Sequence, residues 1–438
     1  MDKQSRISDD EIKEYFKQEK FTNQLHVVKI YLYELILKGL RNYHATGSVY
    51  STIINHLCDI AILYEKELYH NCAAKLEKAE KLVVDYEMNN LQPEIFSWKR
   101  KLHLARPVSN SALDKIIESE SDCIQRLVEI NHLWDQTNKI YTNYKDKRIL
   151  RSLSHKRPGS LRALTLSRHI AYSCHYINGN TGPAEEVISD LIQSLEARPE
   201  IIHEDPSSYV TAISNKIGLL IPQKRWQDIG TLILQMRKVP EKYKLKKESK
   251  FALKLWLRIY NLELELCRDA KLYAKITELI FEIQEFISSR ERSLPSDYKL
   301  MIYYQISSIC FSKQEYSKAL EWNYKIMNTN FGDVRVDLQC YSRILNLAIH
   351  FELNNIILLR YAADSARRFL RKKKFNGVFP QSCLKLFSQL SLVNPVEYKS
   401  TFKRMYAELF SMNSADHSFD LDYFDLKGWL KNKLNIAS

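Results

Sequence analysis

The residues most able to do chemistry in this chain are clustered cations, and the chemistry they offer is anion binding. Lys242, Lys244, Lys246, Lys247 and Lys250 form one group, with Lys254 a helical turn further on. Arg367, Arg368, Arg371, Lys372, Lys373 and Lys374 form a second. Lys145, Lys147, Arg148, Arg151, Lys156, Arg157, Arg162 and Arg168 form a third, against a single acid, Asp146. Such clusters attract phosphate backbones or acidic partners. The competing reading is a solvated helix end, because cations favour the last helical turn, and Arg371, Lys372, Lys373 and Lys374 suit that position. Tyr243, Trp256, Phe369 and Phe375 are residue types that stack on bases, but helical spacing assigns most of them to a core.

Other reactive groupings fall short of a mechanism. No G-x-x-x-x-G-K-[ST] phosphate loop is present, and Asn178-Gly-Asn-Thr-Gly182 lacks both the lysine and a preceding strand, so it reads as a helix–helix loop. His169 and His175 flank Cys174, but spacings of five and six do not share a helix face as i, i+4 would. There is no C-x-x-C and no H-E-x-x-H. Asp420, Asp422 and Asp425 have a calcium-loop look, yet Phe424 takes a ligand position and the turn glycine and closing Glu are missing. The expectation is a chain with no catalytic residue, no metal and no cofactor.

These groups must be positioned by helices. The chain has 438 residues with only 10 Gly and 11 Pro, too few breakers for the turns of an all-β sandwich or for a long disordered linker. Leu25, Val28, Tyr31, Leu32, Leu35 and Ile36 make one apolar stripe at helical spacing, and Ile53, Ile54, Leu57, Ile60, Ala61 and Tyr64 repeat it. Residues 111–144 contain neither Pro nor Gly and predict one long helix or a tight antiparallel pair. Further helices are expected to begin near Ser207, Lys224, Lys244, Leu272, Ser296, Gln314, Asp333, Asn355, Pro380 and Pro395. Strand-like alternation bounded by turn residues is absent, which predicts an all-α protein.

Charge and compartment add boundary conditions. The formal net charge is +13, and residues 231–438 hold 34 Lys+Arg against 22 Asp+Glu, nearly all of the excess. The polar start Met1-Asp-Lys-Gln-Ser-Arg shows no secretory signal, and no window approaches ~18 uncharged apolar residues, so no membrane span is expected. Eight cysteines at least 14 residues apart read as reduced, buried, small hydrophobes of a cytoplasmic protein.

The helices come as hairpins of roughly 30–45 residues, the period of helix–turn–helix solenoids. The clearest unit is Tyr303, Ile306, Ser307 and Cys310, followed by Tyr316, Ala319 and Ile326. Here small residues let two helices approach while large ones fill the gap to the next pair. Asn323 stands where an aromatic is expected, and Phe331 where a terminal Pro is usual. Three further segments carry a resemblance. They are Ile62-Leu-Tyr-Glu-Lys-Glu-Leu-Tyr69 with Leu76-Glu-Lys-Ala-Glu-Lys-Leu82; Ile344-Leu-Asn-Leu-Ala-Ile-His-Phe-Glu-Leu353 with Leu358-Leu-Arg-Tyr361 and Arg367-Arg-Phe-Leu370; and the closing Asp422-Tyr-Phe-Asp-Leu-Lys-Gly-Trp-Leu-Lys-Asn-Lys433. They resemble uncharacterised bacterial tetratricopeptide-like (TPR-like) proteins over most of the chain. The resemblance implies an α-α superhelix, a solenoid of helical hairpins, and no assigned activity.

The expected organisation is a region 1–147 of helical hairpins, a breaker at Arg157-Pro-Gly-Ser160, and a TPR-like region 160–438 closed by a capping helix over 419–435. The cap is expected to bury Phe419, Leu421, Tyr423, Phe424, Leu426, Trp429, Leu430 and Leu434 and to leave Lys427, Lys431 and Lys433 to water. The function expected is a non-enzymatic scaffold holding a peptide or partner protein in a superhelical groove. The alternative is a nucleic-acid-associated or regulatory protein that uses the basic C-terminal half.

Overall fold

A computed structural model describes residues 7–45, 47–107, 110–142, 158–270, 272–290, 293–410 and 426–435. Among them are twenty α-helices, two short 3-10 turns and no strand. The chain divides into two compact units, residues 1–216 and 217–438. The boundary expected between 147 and 160 falls inside the first unit. Counted on the whole sequence, the first unit holds 29 Lys+Arg and 29 Asp+Glu, the second 36 and 23, so the second carries the entire formal excess.

The first unit contains α1 (Asp9–Tyr15), α2 (Leu25–His44), α3 (Val49–Glu65), α4 (Tyr69–Asp85), α5 (Gln92–Ala105), α6 (Asn110–Thr142), α7 (Leu161–Ile177), α8 (Thr181–Glu196) and α9 (Pro199–Glu204); the division falls within α10 (Pro206–Leu220). Serine caps start several helices: Ser8, Ser48 and Ser160 each accept a hydrogen bond from a first-turn N–H. From α3 to α8 each helix packs on the next within the hairpins and along α4–α5–α6–α7. The segment 111–144 resolves into the single long helix α6, of 33 residues.

The stripe Leu25 to Ile36 lies on a helix, α2, as its spacing predicts, but is not buried: Leu25 alone of the helix is, while Tyr31 is 65% and Leu35 51% exposed. Among the described residues only the preceding 3-10 turn makes an extended contact with α2, so its amphipathic pattern has no core to enter.

The second unit continues with α11 (Trp226–Lys242), α12 (Lys250–Asp269), α13 (Tyr273–Arg290), α14 (Ser296–Ser312), α15 (Tyr316–Met327), α16 (Val336–Glu352), α17 (Ile356–Lys372), α18 (Val378–Leu390), α19 (Tyr398–Phe410) and α20 (Leu426–Leu434). Sequential helices pack as hairpins, and in addition α12 packs on α14, α14 on α16 and α16 on α18. The first helices of successive pairs thus touch one another directly, with starts spaced 46, 40 and 42 residues apart. That neighbour-to-neighbour arrangement is consistent with an α-α solenoid. A continuous core runs from Leu253 to Leu430.

The hairpin α14–α15 shows why the pattern works. Tyr303, Ile306, Ser307, Cys310, Ala319 and Ile326 are all buried, and the Ser307 hydroxyl donates to the Ala319 carbonyl at 2.8 Å. A hydroxyl reaches a facing backbone only where both Cβ groups are small. The departure at Asn323 has its own solution. Asn323 is fully buried, donates from Nδ2 to the Ser342 carbonyl at 3.0 Å and accepts from the Ser342 hydroxyl at 3.2 Å, fastening α15 to α16. Phe331 is buried as well.

Helix α20 closes on the last hairpins. Leu426, Trp429 and Leu430 are buried, and the Trp429 ring lies 5.9, 5.6 and 5.5 Å from those of Phe351, Phe387 and Phe402. Phe419, Leu421, Tyr423 and Phe424 lie outside the described residues. Lys433, expected in water, instead donates to Glu352 at 2.8 Å. Glu352 is the final residue of α16, where the helix dipole disfavours an anion, so this partner offsets an unfavourable placement.

No helix among the described residues is long and apolar enough to cross a membrane. All eight cysteines are free thiols; seven are buried as expected, but Cys58 on α3 is exposed.

Candidate functional site

The first-helix face of the second unit carries a hollow of about 420 Å³. Asn261, Glu265 and Arg268 come from α12 at i, i+4 and i+7, which places them on one helix face. Met301, Tyr304, Gln305 and Ser308 come from α14 at i, i+3, i+4 and i+7, again one face. Arg335 and Leu338 complete it from the start of α16. The floor exists because α12, α14 and α16 stack on one another.

The charges in the hollow are balanced locally. Arg268 donates to Asp269 at 2.6 Å, and Arg335 grips Asp337 through Nε and a terminal nitrogen at 3.0 and 2.7 Å. Arg335 itself sits in the left-handed region at φ 45°, fixed where the chain enters α16. Two amides are different: Asn261 Oδ1 and Gln305 Oε1 are buried without a hydrogen-bond partner. A buried amide carbonyl left unpaired costs ~1–3 kcal/mol, so an N–H donor entering the hollow gains on both. The arrangement can accept hydrogen bonds and offer mixed charge at the rim.

The sequence-selected cations sit elsewhere. Lys242 ends α11, Lys250 begins α12, and Lys244, Lys246 and Lys247 lie on the connection between them; all five are exposed. Lys244 takes the left-handed turn at φ 49° that ends α11, with the Leu245 N–H closing on the Pro240 carbonyl at 2.8 Å. The second group repeats this design. Arg371 and Lys372 occupy the last turn of α17, Lys374 turns at φ 55°, and the Phe375 N–H closes on the Leu370 carbonyl at 2.9 Å. Arg368, Arg371, Lys372 and Lys374 are exposed, whereas Arg367 is held by Asp364 and Ser388, and Lys373 by Asp333 and the Gly332 carbonyl. The second group therefore lies around a helix C-terminus, while the first runs from the end of α11 through the connection to the start of α12.

The aromatics beside them are committed to packing. Tyr243 is buried, and Trp256, Phe369 and Phe375 pack against the core, with the Arg343 guanidinium 3.3 Å from the Phe369 ring centre. Desolvation pushes the Arg343 pKa down to about 10. Of the third group, Lys145, Lys147, Arg148, Arg151, Lys156 and Arg157 lie outside the described residues, as do Asp420, Asp422 and Asp425. Arg168 pairs with Asp190 at 2.8 Å.

Cys174 is buried, and burial lowers the pKa of His169 and raises that of the thiol. Among the described residues no group of three His, Cys, Asp or Glu side chains could hold a metal ion. Asn261 and Gln305 escape a sequence reading that looks for motifs. The available signal is a lone amide at Asn261 on the face carrying Leu257 and Leu264. No protein-family model, no curated protein and no solved structure matches the chain.

Proposed function

We propose that the chain is a non-enzymatic scaffold whose second unit winds as a superhelix and holds an extended peptide segment of a partner protein along its stacked first helices. The buried, unpartnered carbonyls of Asn261 and Gln305 in a locally neutral hollow carry this reading. An extended peptide presents main-chain N–H groups at regular intervals, the donors these acceptors lack. The recurrence of first-helix contacts from α12 to α18 supports a continuous groove, as does the resemblance to tetratricopeptide-like proteins. A cytoplasmic partner suits the free cysteines.

The test is selection of binders from a random peptide library on the intact protein, followed by affinity measurement on the double variant Asn261→Leu, Gln305→Leu. The expected result is enriched peptides whose affinity falls at least about tenfold in the variant, the loss of one to two net hydrogen bonds. Equal affinity in the variant, or no enrichment, overturns the reading.

The charge excess of the second unit favours a second reading, nucleic-acid binding through Lys242, Lys244, Lys246, Lys247, Lys250 and the exposed end of α17. It requires generic RNA or DNA to bind at low salt with a log–log salt slope of several units. Lys242, Lys244, Lys246 and Lys247 changed to Glu must then abolish that binding while leaving peptide affinity intact.

A further inference from the structure

The first unit holds a cavity of about 700 Å³ that the groove plays no part in. It opens among α6, α7, the start of α10 and the turn at Asn89 and Asn90. Its volume lies in the ~300–1,000 Å³ range of small-molecule pockets. One wall is apolar: Leu127, Ile130 and Trp134 line it from one face of α6 at i, i+3 and i+7, and Leu166 faces it from α7. Trp134 is 53% exposed, a large aromatic surface that the fold leaves uncovered.

Two donors at the polar end lack acceptors. Arg162 Nε is buried with no hydrogen-bond partner, and among the described residues the guanidinium donates to the Met88 sulfur alone, at 3.6 Å. Among the described residues no carboxylate pairs with that guanidinium. The next residue, Asn89, is 8% exposed, and its Nδ2 is buried with no acceptor. The carboxylates at hand are already committed. Glu87 accepts the N–H groups of Leu161 and Arg162 at 3.1 Å each, capping α7. Asp205, which lines the cavity, accepts the Ser207 N–H at 3.2 Å and the Ser208 hydroxyl at 2.7 Å. His169 also lines the cavity, and burial lowers its pKa, so it adds no positive charge at neutral pH. A part-buried guanidinium with no carboxylate in hydrogen-bond contact is under-satisfied, and an anion brought beside it supplies the missing acceptor.

We propose that this cavity binds an apolar organic carboxylate, its oxygens accepting from Arg162 and Asn89 and its hydrocarbon body lying against Leu127, Ile130, Trp134 and Leu166. Charge and shape together select the class: a hydrophilic anion would leave the α6 wall wet, and a neutral hydrocarbon would leave the two donors unpaired.

The probe is a dansyl-labelled fatty carboxylate, added to the intact protein and followed by its fluorescence, with decanoate, decanol and decylammonium as competitors. The expected result is saturable binding, displacement by decanoate, displacement by decanol weaker by about 10- to 100-fold, as loss of a charged hydrogen bond requires, and none by decylammonium. Arg162→Gln is expected to weaken the probe by a similar factor, and Arg162→Lys by less. Asn89→Asp, nearly isosteric, places a competing carboxylate in the cavity and is expected to abolish binding while the melting temperature holds or rises. That variant separates a binding role from a structural one should Arg162→Gln unfold. Equal displacement by decanoate and decanol, undiminished binding by Asn89→Asp, or no saturable binding of the probe overturns the proposal.

Discussion

Replacing Trp429 by Ala removes the centre of the terminal cap, and its cost follows from what the indole touches. The side chain is 8% exposed and contacts three phenyl rings at 5.5–5.9 Å, while its Nε1–H donates to Glu352 at 2.5 Å. A fully packed Trp→Ala change costs about 3–5 kcal/mol. The lost bond to a carboxylate accounts for about 1.5–3 kcal/mol of that range, because Glu352, though still held by Lys433, loses the indole donor. For a unit the size of residues 217–438, each kcal/mol shifts the midpoint by ~2–4 °C, giving a fall of roughly 6–20 °C. Calorimetry of the whole chain separates this transition from any belonging to the first unit. Trp429→Phe keeps most of the ring packing and lacks the N–H, so its fall is expected to be about half as large. A fall below about 2 °C for Trp429→Ala would refute the capping argument, and equal falls for the two variants would refute the division between packing and hydrogen bond.

Gln314→Gly is expected to stabilise the second unit. Gln314 is exposed, sits at φ 63° and ends α14 with the Glu315 N–H bonded to the Cys310 carbonyl at 2.9 Å. Relief of ~1–2 kcal/mol of left-handed strain, less the extra chain entropy of Gly, leaves a gain of up to about 1 kcal/mol, readable as a higher midpoint in urea. A pH dependence should arise from His350, which is 3% exposed with Nδ1 unpartnered, and whose pKa burial lowers. Below the ordinary imidazole value of 6.5 the unfolded chain takes up a proton that the folded chain refuses. Stability is therefore complete above that pH and falls as pH drops toward the lowered value, by at most about 1.4 kcal/mol per pH unit. His350→Gln should flatten that slope between pH 7.5 and 5.5 for the second unit, and an unchanged slope would show that the imidazole is not its source.

Helix identity was legible because an apolar stripe of period 3.6 with almost no Gly or Pro permits little else. Most helix starts expected in the second unit lie within three residues of those observed. The exception is Lys244, where the helix begins at Lys250 because the left-handed Lys244 spends several residues on the turn. The same scarcity of glycine explains why Glu67, Glu87, Lys224, Lys244, Gln314, Asn354 and Lys374 carry positive φ at chain turns that glycine usually fills. Asn323 read as a flaw in a repeat, yet its partner Ser342 lies on the next hairpin, 19 residues away, where no periodicity points to it.

The sequence by itself determined that the chain is helical, that its hairpins recur, and where its cations cluster, since each of these depends on neighbours within a turn or two. Tertiary structure alone decided which faces find a partner. The α2 stripe is as apolar as its neighbours and remains uncovered, while Lys433 finds Glu352 across 81 residues. It also decided which polar groups are left unpaired: Asn261 and Gln305 in one unit, Asn89 and Arg162 in the other. Burial is set by the packing of distant elements, and an unsatisfied donor or acceptor exists only once water has been excluded from it.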